Sequence, residues 1–168
     1  MIHMIEPDDN RVQQLFENWA TDDVMWKMLS STPVKSHEMI LRVLKNARNN
    51  IELGDFYRFI IIEEESDQAI GFATFTPRGA TMEVGLSMGS AFWGKGYGSL
   101  VIKHAEQFAK ELGLAVVFAT ILPHNTRSQN LFAKNGFHNL GVTERRYVYP
   151  GSSIEPCKKV HYYTKLVE

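Results

Sequence analysis

The first third of the chain shows the apolar spacing that is typical of helices. Apolar residues recur three and four positions apart over residues 12–19, directly after Pro7 and Asp8, which supply a helix start. Ser36 is expected to cap a second helix, whose apolar face consists of Met39, Ile40, Val43, Leu44 and Ala47. Residues 21–35 are predicted as the connecting loop. Its large apolar residues either pack into the core or line a pocket: Met25, Trp26 and Met28.

The apolar pattern then changes to that of strands. Residues 56–62 are β-branched and aromatic, and residues 69–75 and 81–88 follow as two further strands. Polar turns at residues 63–68 and 76–79 join the three strands. Because these connections are short, the three strands must be antiparallel neighbours.

Helical spacing returns after Gly98, and Gly113 is expected to end this helix. The apolar run over residues 114–119 suits a central strand that is covered on both faces. A strand, a crossover helix and a second strand imply a parallel pair between the strands around Gly85 and Val117. A helix over residues 125–135 follows. A final hairpin is predicted from two strands: residues 147–149 and 160–167.

These elements predict an α/β (α+β) fold in a single domain that spans residues 1–168. The predicted sheet is mixed and mostly antiparallel, with about seven strands, one central parallel pair and about four flanking helices. No internal repeat, low-complexity tract or linker divides the chain.

The composition argues against several classes of protein. The 168 residues carry 18 Lys plus Arg against 19 Asp plus Glu, and this balance does not favour a nucleic-acid partner. No apolar stretch approaches the roughly 20 residues that span a bilayer, and the acidic N-terminus is unlike a signal peptide. The single cysteine, Cys157, cannot form a disulfide framework, and the six histidines lack metal-site spacing. We therefore expect a soluble, cytoplasmic protein without a metal or a membrane partner.

The most informative segment is a glycine loop between a strand and a helix, with the sequence Phe92-Trp93-Gly94-Lys95-Gly96-Tyr97-Gly98-Ser99. Three glycines at alternate positions clear one side of the backbone of Cβ atoms, so an anion can approach the amides closely. The dipole of the following helix adds positive potential at the same point. The spacing alone favours a pyrophosphate site and a tight turn without a ligand about equally.

Two other phosphate-binding loops fit this segment poorly. Gly89 and Gly94-Lys95 match the first part of the NTPase loop, but Gly96 stands where that loop requires a hydroxyl group for magnesium. The dinucleotide fingerprint fails at Ser99, and no βαβ repeat precedes the segment.

Two blocks of the sequence resemble the GNAT N-acetyltransferase superfamily. Residues 83–88, followed by Trp93-Gly94-Lys95-Gly96-Tyr97-Gly98, are similar to its acetyl-CoA motif, Q/R-x-x-G-x-G/A, with Trp93 in the Gln/Arg position. Residues 125–128 and 131–137 resemble the second block of the family, N-x-x-S/A followed by K-x-G-F. In having a serine in the second block, the chain resembles the branch of the family that acetylates the N-termini of ribosomal proteins.

The resemblance implies that acetyl-CoA is the acetyl donor and that it lies along a strand, the glycine loop and the start of the next helix. It also implies that the amide of Met88 donates to the thioester carbonyl. The residues implied in coenzyme binding are Leu86, Ser87, Met88, Trp93, Gly94, Lys95, Gly96, Tyr97, Gly98, Ser99 and Asn125.

Two catalytic candidates follow from the same resemblance. Glu83 stands where family members place the base, and the alternative is a surface carboxylate that is paired across the sheet. Phe132 occupies the position of the family's tyrosine acid, which leaves Ser128 to protonate the departing thiolate. The alternative for Ser128 is a hydrogen bond to the local backbone. Asn125 binds the pantetheine arm, caps the helix, or does both.

The sequence therefore predicts an acetyl-CoA-dependent N-acetyltransferase that acts by direct attack in a ternary complex. The acceptor is expected to be a small-molecule amine or a protein N-terminus, and homodimers are frequent in the family. The alternative is a domain that binds acyl-CoA as a sensor or scaffold without turnover.

Overall fold

One seven-stranded sheet connects almost every part of the chain in the computed structural model, which describes residues 1–145 and 158–167. The spatial order of the strands is β1-β2-β3-β4-β5-β7-β6. The strands are β1 (Ile2–Ile5), β2 (Tyr57–Glu63), β3 (Gln68–Arg78), β4 (Thr81–Met88), β5 (Val116–Ile121), β6 (His138–Arg145) and β7 (Lys158–Leu166).

The single parallel step of this sheet lies between β4 and β5. Thr81, Met82 and Glu83 of β4 pair with residues 116–118 of β5, and every other neighbouring pair is antiparallel. The predicted mixed sheet with one central parallel pair is confirmed. The pairing ends before Gly85, however, so the two strands separate in the second half of β4.

Five α-helices flank the sheet, one more than predicted, in the described part of the chain. They are α1 (Val12–Leu15), α2 (Asp23–Trp26), α3 (His37–Leu53), α4 (Tyr97–Glu111) and α5 (Thr126–Lys134). The predicted N-cap is confirmed, because the hydroxyl of Ser36 accepts a hydrogen bond from the amide of Met39. The additional helix, α2, lies inside the predicted loop. None of the described helices has both the length and the apolar character needed to cross a membrane.

Two apolar clusters hold the helices against opposite faces of the sheet. On one face, Leu15 of α1 and Leu44 of α3 pack with Ile60 of β2. On the other face, Val101 of α4 packs with Phe75 of β3 and other strand residues. Met25 and Trp26 are buried in the first cluster, but Met25 also lines one of the two cavities described below and Trp26 lines the other, so both alternatives predicted for them apply.

The structure describes one strand of the predicted C-terminal hairpin, because β7 corresponds to the strand predicted over residues 160–167. The described partner of β7 is β6, in which Thr143 pairs with Val160, whereas residues 147–149 and Cys157 lie outside the described residues. The sequence pattern missed β6 because nearly all of its residues are exposed, and an edge strand without a buried face lacks the apolar alternation on which prediction depends.

A matched pair of glycines tests the packing between β3 and β4. A Cβ atom at Gly71 would lie 2.0 Å from the carbonyl oxygen of Ser87, whereas one at Gly85 would have no neighbour nearer than 3.9 Å. We expect Gly71→Ala to lower the free energy of unfolding by about 1–3 kcal/mol, because backbone atoms must move apart. Gly85→Ala should change it by less than about 1 kcal/mol. Urea denaturation measures both, and equal stabilities would contradict the packing described.

Candidate active site

The glycine loop adopts a backbone that favours glycine at two of its positions. Gly94 and Gly96 have φ values of +80° and +84°, and Gly96 is the N-cap residue of α4. The amides of Ser99 and Leu100 donate to the carbonyl oxygen of Gly96, whereas those of Tyr97 and Gly98 have no acceptor among the described residues. These two amides and the helix dipole favour an anion. Gly98 has a different role, because a Cβ atom there would lie 2.7 Å from Leu131. The third glycine therefore allows α5 to pack close to α4.

Glu63, at the end of β2, anchors the glycine loop. Its buried carboxylate accepts hydrogen bonds from the hydroxyl of Ser66, from the hydroxyl of Tyr97 at 2.7 Å and from the ammonium group of Lys95 at 3.1 Å. These three donors lower the pKa of Glu63 to about 2. The same contact with Glu63 raises the pKa of Tyr97. The loop is thereby tied to a strand on the far side of β3.

Trp93 connects the glycine loop to both neighbouring elements. Its indole N–H donates to the carbonyl oxygen of Met88 at 2.7 Å, and the guanidinium carbon of Arg127 lies 4.5 Å from its ring centroid. This geometry is that of a cation–π contact. The tryptophan in the Gln/Arg position of the motif therefore holds the end of β4 and the start of α5 together.

The second half of β4 exposes backbone groups toward the gap beside β5. The amide of Gly89 donates to the carbonyl oxygen of Ile70 at 3.0 Å, which sets the alternation of hydrogen bonds between β4 and β3. By that alternation, the amides of Leu86 and Met88 face away from β3. Because pairing with β5 ends at Glu83, no strand from the described part of the chain lies beside these two amides.

A cavity of about 490 Å³ lies between the glycine loop, the end of β4 and the start of α5, and we call it the loop cavity. Lys95 and Ser99 do not line it: Lys95 contacts Glu63, and the hydroxyl of Ser99 accepts from Asn135 at 3.0 Å. The other residues implied in coenzyme binding do line it, namely Leu86, Ser87, Met88, Trp93, Gly94, Gly96, Tyr97, Gly98 and Asn125.

A larger space of about 860 Å³, the sheet groove, lies between α3, the segment after α2 and the open face of β2, β3 and β4. The loop cavity and the sheet groove share six lining residues: Met28, Leu29, Leu86, Ser87, Asn125 and Ser128. The two spaces therefore meet at the gap between β4 and β5.

Ser128 lies at this junction, in the first turn of α5. Buried Asn125 caps the helix, because its side-chain oxygen accepts from the amide of Ser128 at 3.1 Å. The amide group of Asn125 also donates to the carbonyl oxygen of Met28 at 3.0 Å. The predicted capping role is therefore confirmed. The hydroxyl of Ser128 has no hydrogen-bond partner in the described part of the chain, so the local backbone bond expected as its alternative is not formed.

Glu83 lies in the sheet groove and does not line the loop cavity. Arg145 of β6 binds both of its carboxylate oxygens, the hydroxyl of Thr120 donates to it at 3.2 Å, and Arg78 lies 3.6 Å away. Its side chain is 16% exposed. The carboxylate is thus paired across the sheet, which is the alternative that the sequence left open.

Asp22 joins the segment that carries Met28 to the approach to the glycine loop. Its carboxylate accepts hydrogen bonds from the amide of Met25, at 3.0 Å, and from the amide of Ser90. Burial acts to raise the pKa of Asp22, but these backbone donors hold it below its usual value. The walls of the loop cavity and the sheet groove are therefore fastened to each other.

Sequence reasoning missed three charged residues that contribute to the site. Arg127 and Lys134 line the loop cavity from α5, and Glu63 anchors Lys95 and Tyr97. The positions of Arg127 and Lys134 within the second block were a usable signal. Glu63 had none, because it belongs to an acidic run that resembles a solvated turn.

The split sheet beside a glycine loop that begins a helix is the architecture of GNAT acetyltransferases. The profile of the acetyltransferase (GNAT) domain family matches residues 1–138, and the chain therefore belongs to that family. This confirms the resemblance drawn from the two sequence blocks.

Among curated proteins, the chain is 40% identical over 76 residues to YwnH of Bacillus subtilis (strain 168), which is provisionally named a phosphinothricin acetyltransferase. That match covers 44% of this chain and 47% of YwnH, so the chain spans about half the length of this relative.

Two solved structures share the fold over nearly the whole chain. One is provisionally described as a ribosomal-protein-serine acetyltransferase from Vibrio cholerae, with a TM-score of 0.84, 15% identity and coverage of 98% of this chain and 93% of that protein. The other is the microcin C7 self-immunity acetyltransferase MccE in complex with acetyl-CoA and AMP, with a TM-score of 0.83, 15% identity and coverage of 99% and 92%. At these identities the likeness concerns the fold alone.

The anchoring carboxylate provides a test of the glycine loop. We expect Glu63→Gln to weaken acetyl-CoA binding about tenfold, because a charged hydrogen-bond acceptor of Lys95 and Tyr97 is lost. Calorimetric titration measures the affinity. Glu65→Gln, in the exposed part of the same acidic run, is the matched control and should bind as the wild type does.

The lowered pKa of Glu63 also makes the contribution of this carboxylate to the unfolding free energy dependent on pH. The folded value of about 2 lies below the ordinary 4.5, so the stabilisation is complete above about pH 4.5 and is lost as the pH falls through 2. The difference in unfolding free energy between the wild type and Glu63→Gln should therefore shrink between pH 5 and pH 2. A constant difference over that range would contradict the role of the ionised carboxylate.

Proposed function

We propose that the chain, acting as one domain over residues 1–168, transfers an acetyl group from acetyl-CoA to a primary amine of a small molecule or a protein N-terminus. The observation that carries this proposal is the meeting of the loop cavity and the sheet groove at the gap between β4 and β5. Two substrates held in these spaces would have their reacting ends in one opening. Such positioning removes much of the entropic barrier to a two-substrate reaction.

The loop cavity has the chemistry that acetyl-CoA requires. The glycine loop and the N-terminus of α4 offer amides and a positive dipole end to a pyrophosphate. Arg127 and Lys134 line the same cavity and add positive charge for phosphate groups. The amides of Leu86 and Met88 have no neighbouring strand within residues 1–145 and 158–167, so the amide chain of pantetheine suits them as an added strand.

When bound, acetyl-CoA supplies an acetyl group that is activated as a thioester. We propose that the amide of Met88 donates to the carbonyl oxygen of that group and stabilises the negative charge that develops there. Ser128 is the proposed donor of a proton to the departing sulfur. Its position at the junction supports this role, and so does its hydroxyl, which has no hydrogen-bond partner among residues 1–145 and 158–167. Phe132 excludes a phenol at the family's usual position.

The amine acceptor arrives largely protonated and must lose a proton before it attacks. We propose that Glu83 receives this proton through water, since its carboxylate lies in the sheet groove and not in the loop cavity. The competing hypothesis is that Glu83 orients Arg145, with which it shares two hydrogen bonds. A pH profile separates these roles.

The first experiment tests the activity itself. Acetyl-CoA at 100 times its Kd should add about 2.7 kcal/mol to the unfolding free energy, which denaturation with and without the ligand measures. Release of CoA, followed with a panel of small amines and N-terminal peptides, should then reveal an accepted amine. Stabilisation without any CoA release would favour the alternative of a sensor or scaffold domain, and absence of both effects would overturn acetyl-CoA binding.

The second experiment tests the proposed proton acceptor, Glu83, and the proposed proton donor, Ser128. With an accepted amine, Glu83→Gln should lower kcat more at low pH than at high pH, because the fraction of free amine rises with pH and a base then matters less. Ser128→Ala should lower kcat and change the KM for acetyl-CoA by no more than about twofold, because protonation of the thiolate follows substrate binding. A loss that is equal at all pH values would assign Glu83 to the positioning of Arg145. An unchanged kcat in Ser128→Ala would leave protonation of the thiolate to water.

A further inference from the structure

One row of residues crosses the floor of the sheet groove, remote from the glycine loop. Arg58 of β2 pairs with Thr74 of β3, and Thr74 pairs with Gly85 of β4. All three residues line the sheet groove, and none lines the loop cavity. A Cβ atom at Gly85 would have no neighbour nearer than 3.9 Å, so there is room for a ligand above this residue.

Arg58 is held in place from one side only. Its Nε atom donates to the hydroxyl of Thr74 at 3.1 Å, and its guanidinium carbon lies 5.3 Å from the ring centroid of Phe56. The two terminal nitrogens have no hydrogen-bond acceptor within residues 1–145 and 158–167. The guanidinium group is thus oriented by the protein, while its bidentate edge is left for another partner.

The carboxylate of Glu83, which lies in the sheet groove, forms no ion pair with Arg58. Among the described lining residues, Glu83 is the one acidic side chain, and it is bound by Arg145 and lies near Arg78. Burial lowers the pKa of Arg58, which reflects the cost of removing its charge from water. A partly buried cation without a counter-charge is costly, and a bound anion would offset that cost.

We infer that Arg58 binds an anionic group of the acceptor, so that the substrate class is a small primary amine that also carries a carboxylate or phosphoryl group. The planar fork of a guanidinium group matches both anions through two parallel hydrogen bonds. This inference rests on the proposed function, and it adds the chemistry of the acceptor.

The geometry also limits the size of the acceptor. Gly85 and Ser87 are two residues apart on β4, which corresponds to about 7 Å along a strand. Ser87 lines the junction of the two spaces, where the amine must lie. An anion above Gly85 and an amine beside Ser87 are therefore separated by only a few bonds, as in an amino acid or an aminoalkyl phosphate.

The test compares amines that differ in one anionic group. The probes are L-amino acids against their amides, and 2-aminoethyl phosphate against ethanolamine, so that the two arms distinguish carboxylate from phosphoryl recognition. We expect wild-type kcat/KM to be at least about tenfold higher for the anionic member of the preferred pair. Arg58→Gln should remove that preference, with a loss of about 10- to 100-fold for the anionic amine and little change for its neutral partner or for the KM of acetyl-CoA.

Three further variants keep the result interpretable. Arg58→Lys retains the charge without the bidentate edge and should lose part of the preference. Gly85→Ala adds a methyl group beneath the proposed anion and should raise the KM of the anionic amine, even if Arg58→Gln does not fold. Arg42→Gln removes an exposed charge of α3, outside both spaces, and should behave as the wild type does.

Calorimetric titration of the same amines into CoA-bound protein adds a readout that needs no turnover. Tighter binding of the anionic member to the wild type than to Arg58→Gln supports the inference, even if no amine is acetylated. In that case the proposed acetyltransferase activity is overturned, whereas anion binding by Arg58 is supported. Equal use of both members, or an equal loss for both in Arg58→Gln, overturns the inference and leaves the activity intact. Absence of binding and of turnover overturns both.

Discussion

The separation of β4 from β5 after only three residue pairs is the constraint on which the site depends. Backbone amides inside a sheet normally find partners, but the amides of Leu86 and Met88, which face the gap, have no partner from any strand that the structure describes. The gap persists because each strand is held firmly on its other side. β4 pairs with β3 over eight residues, and β5 pairs with β7 over six. The sheet therefore keeps its cohesion while it leaves an opening at its centre, and both cavities lead into that opening.

The cations around this opening differ in what already holds them. The ammonium group of Lys95 donates to Glu63 and so helps to hold the glycine loop in place. Arg127 rests on an indole ring and retains its charge for the loop cavity. Arg145 forms a hydrogen-bonded ion pair with Glu83. Arg58 is oriented by the hydroxyl of Thr74 and the ring of Phe56, and no residue of the described ranges gives it an opposing charge. Apart from Arg127, whose place in the second block was a usable signal, sequence position did not indicate which of these positive charges are available to ligands.

Local signals in the sequence predicted most of the sheet and the helices around it. The apolar run of β5, the cap at Ser36 and the ending of α4 beside Gly113, with its φ of +69°, all follow from periodicity and backbone preference. The exposed edge strand β6 and the short helix α2 lacked such signals. The site was predictable where glycines and the second block defined it. The contacts of Glu63 with Lys95 and Tyr97, and of Arg145 with Glu83, were not, because they join residues 32 to 62 positions apart and depend on tertiary structure.

The hydrogen bond between the amide of Ser90 and the carboxylate of Asp22 has a mechanical consequence. One carboxylate both caps α2 and secures the turn that leads to the glycine loop, although the two residues are 68 positions apart. Through this one carboxylate, the segment that borders the sheet groove and the turn before the glycine loop are held at fixed positions relative to each other. The spaces proposed for the two substrates are therefore kept in alignment by a single side chain.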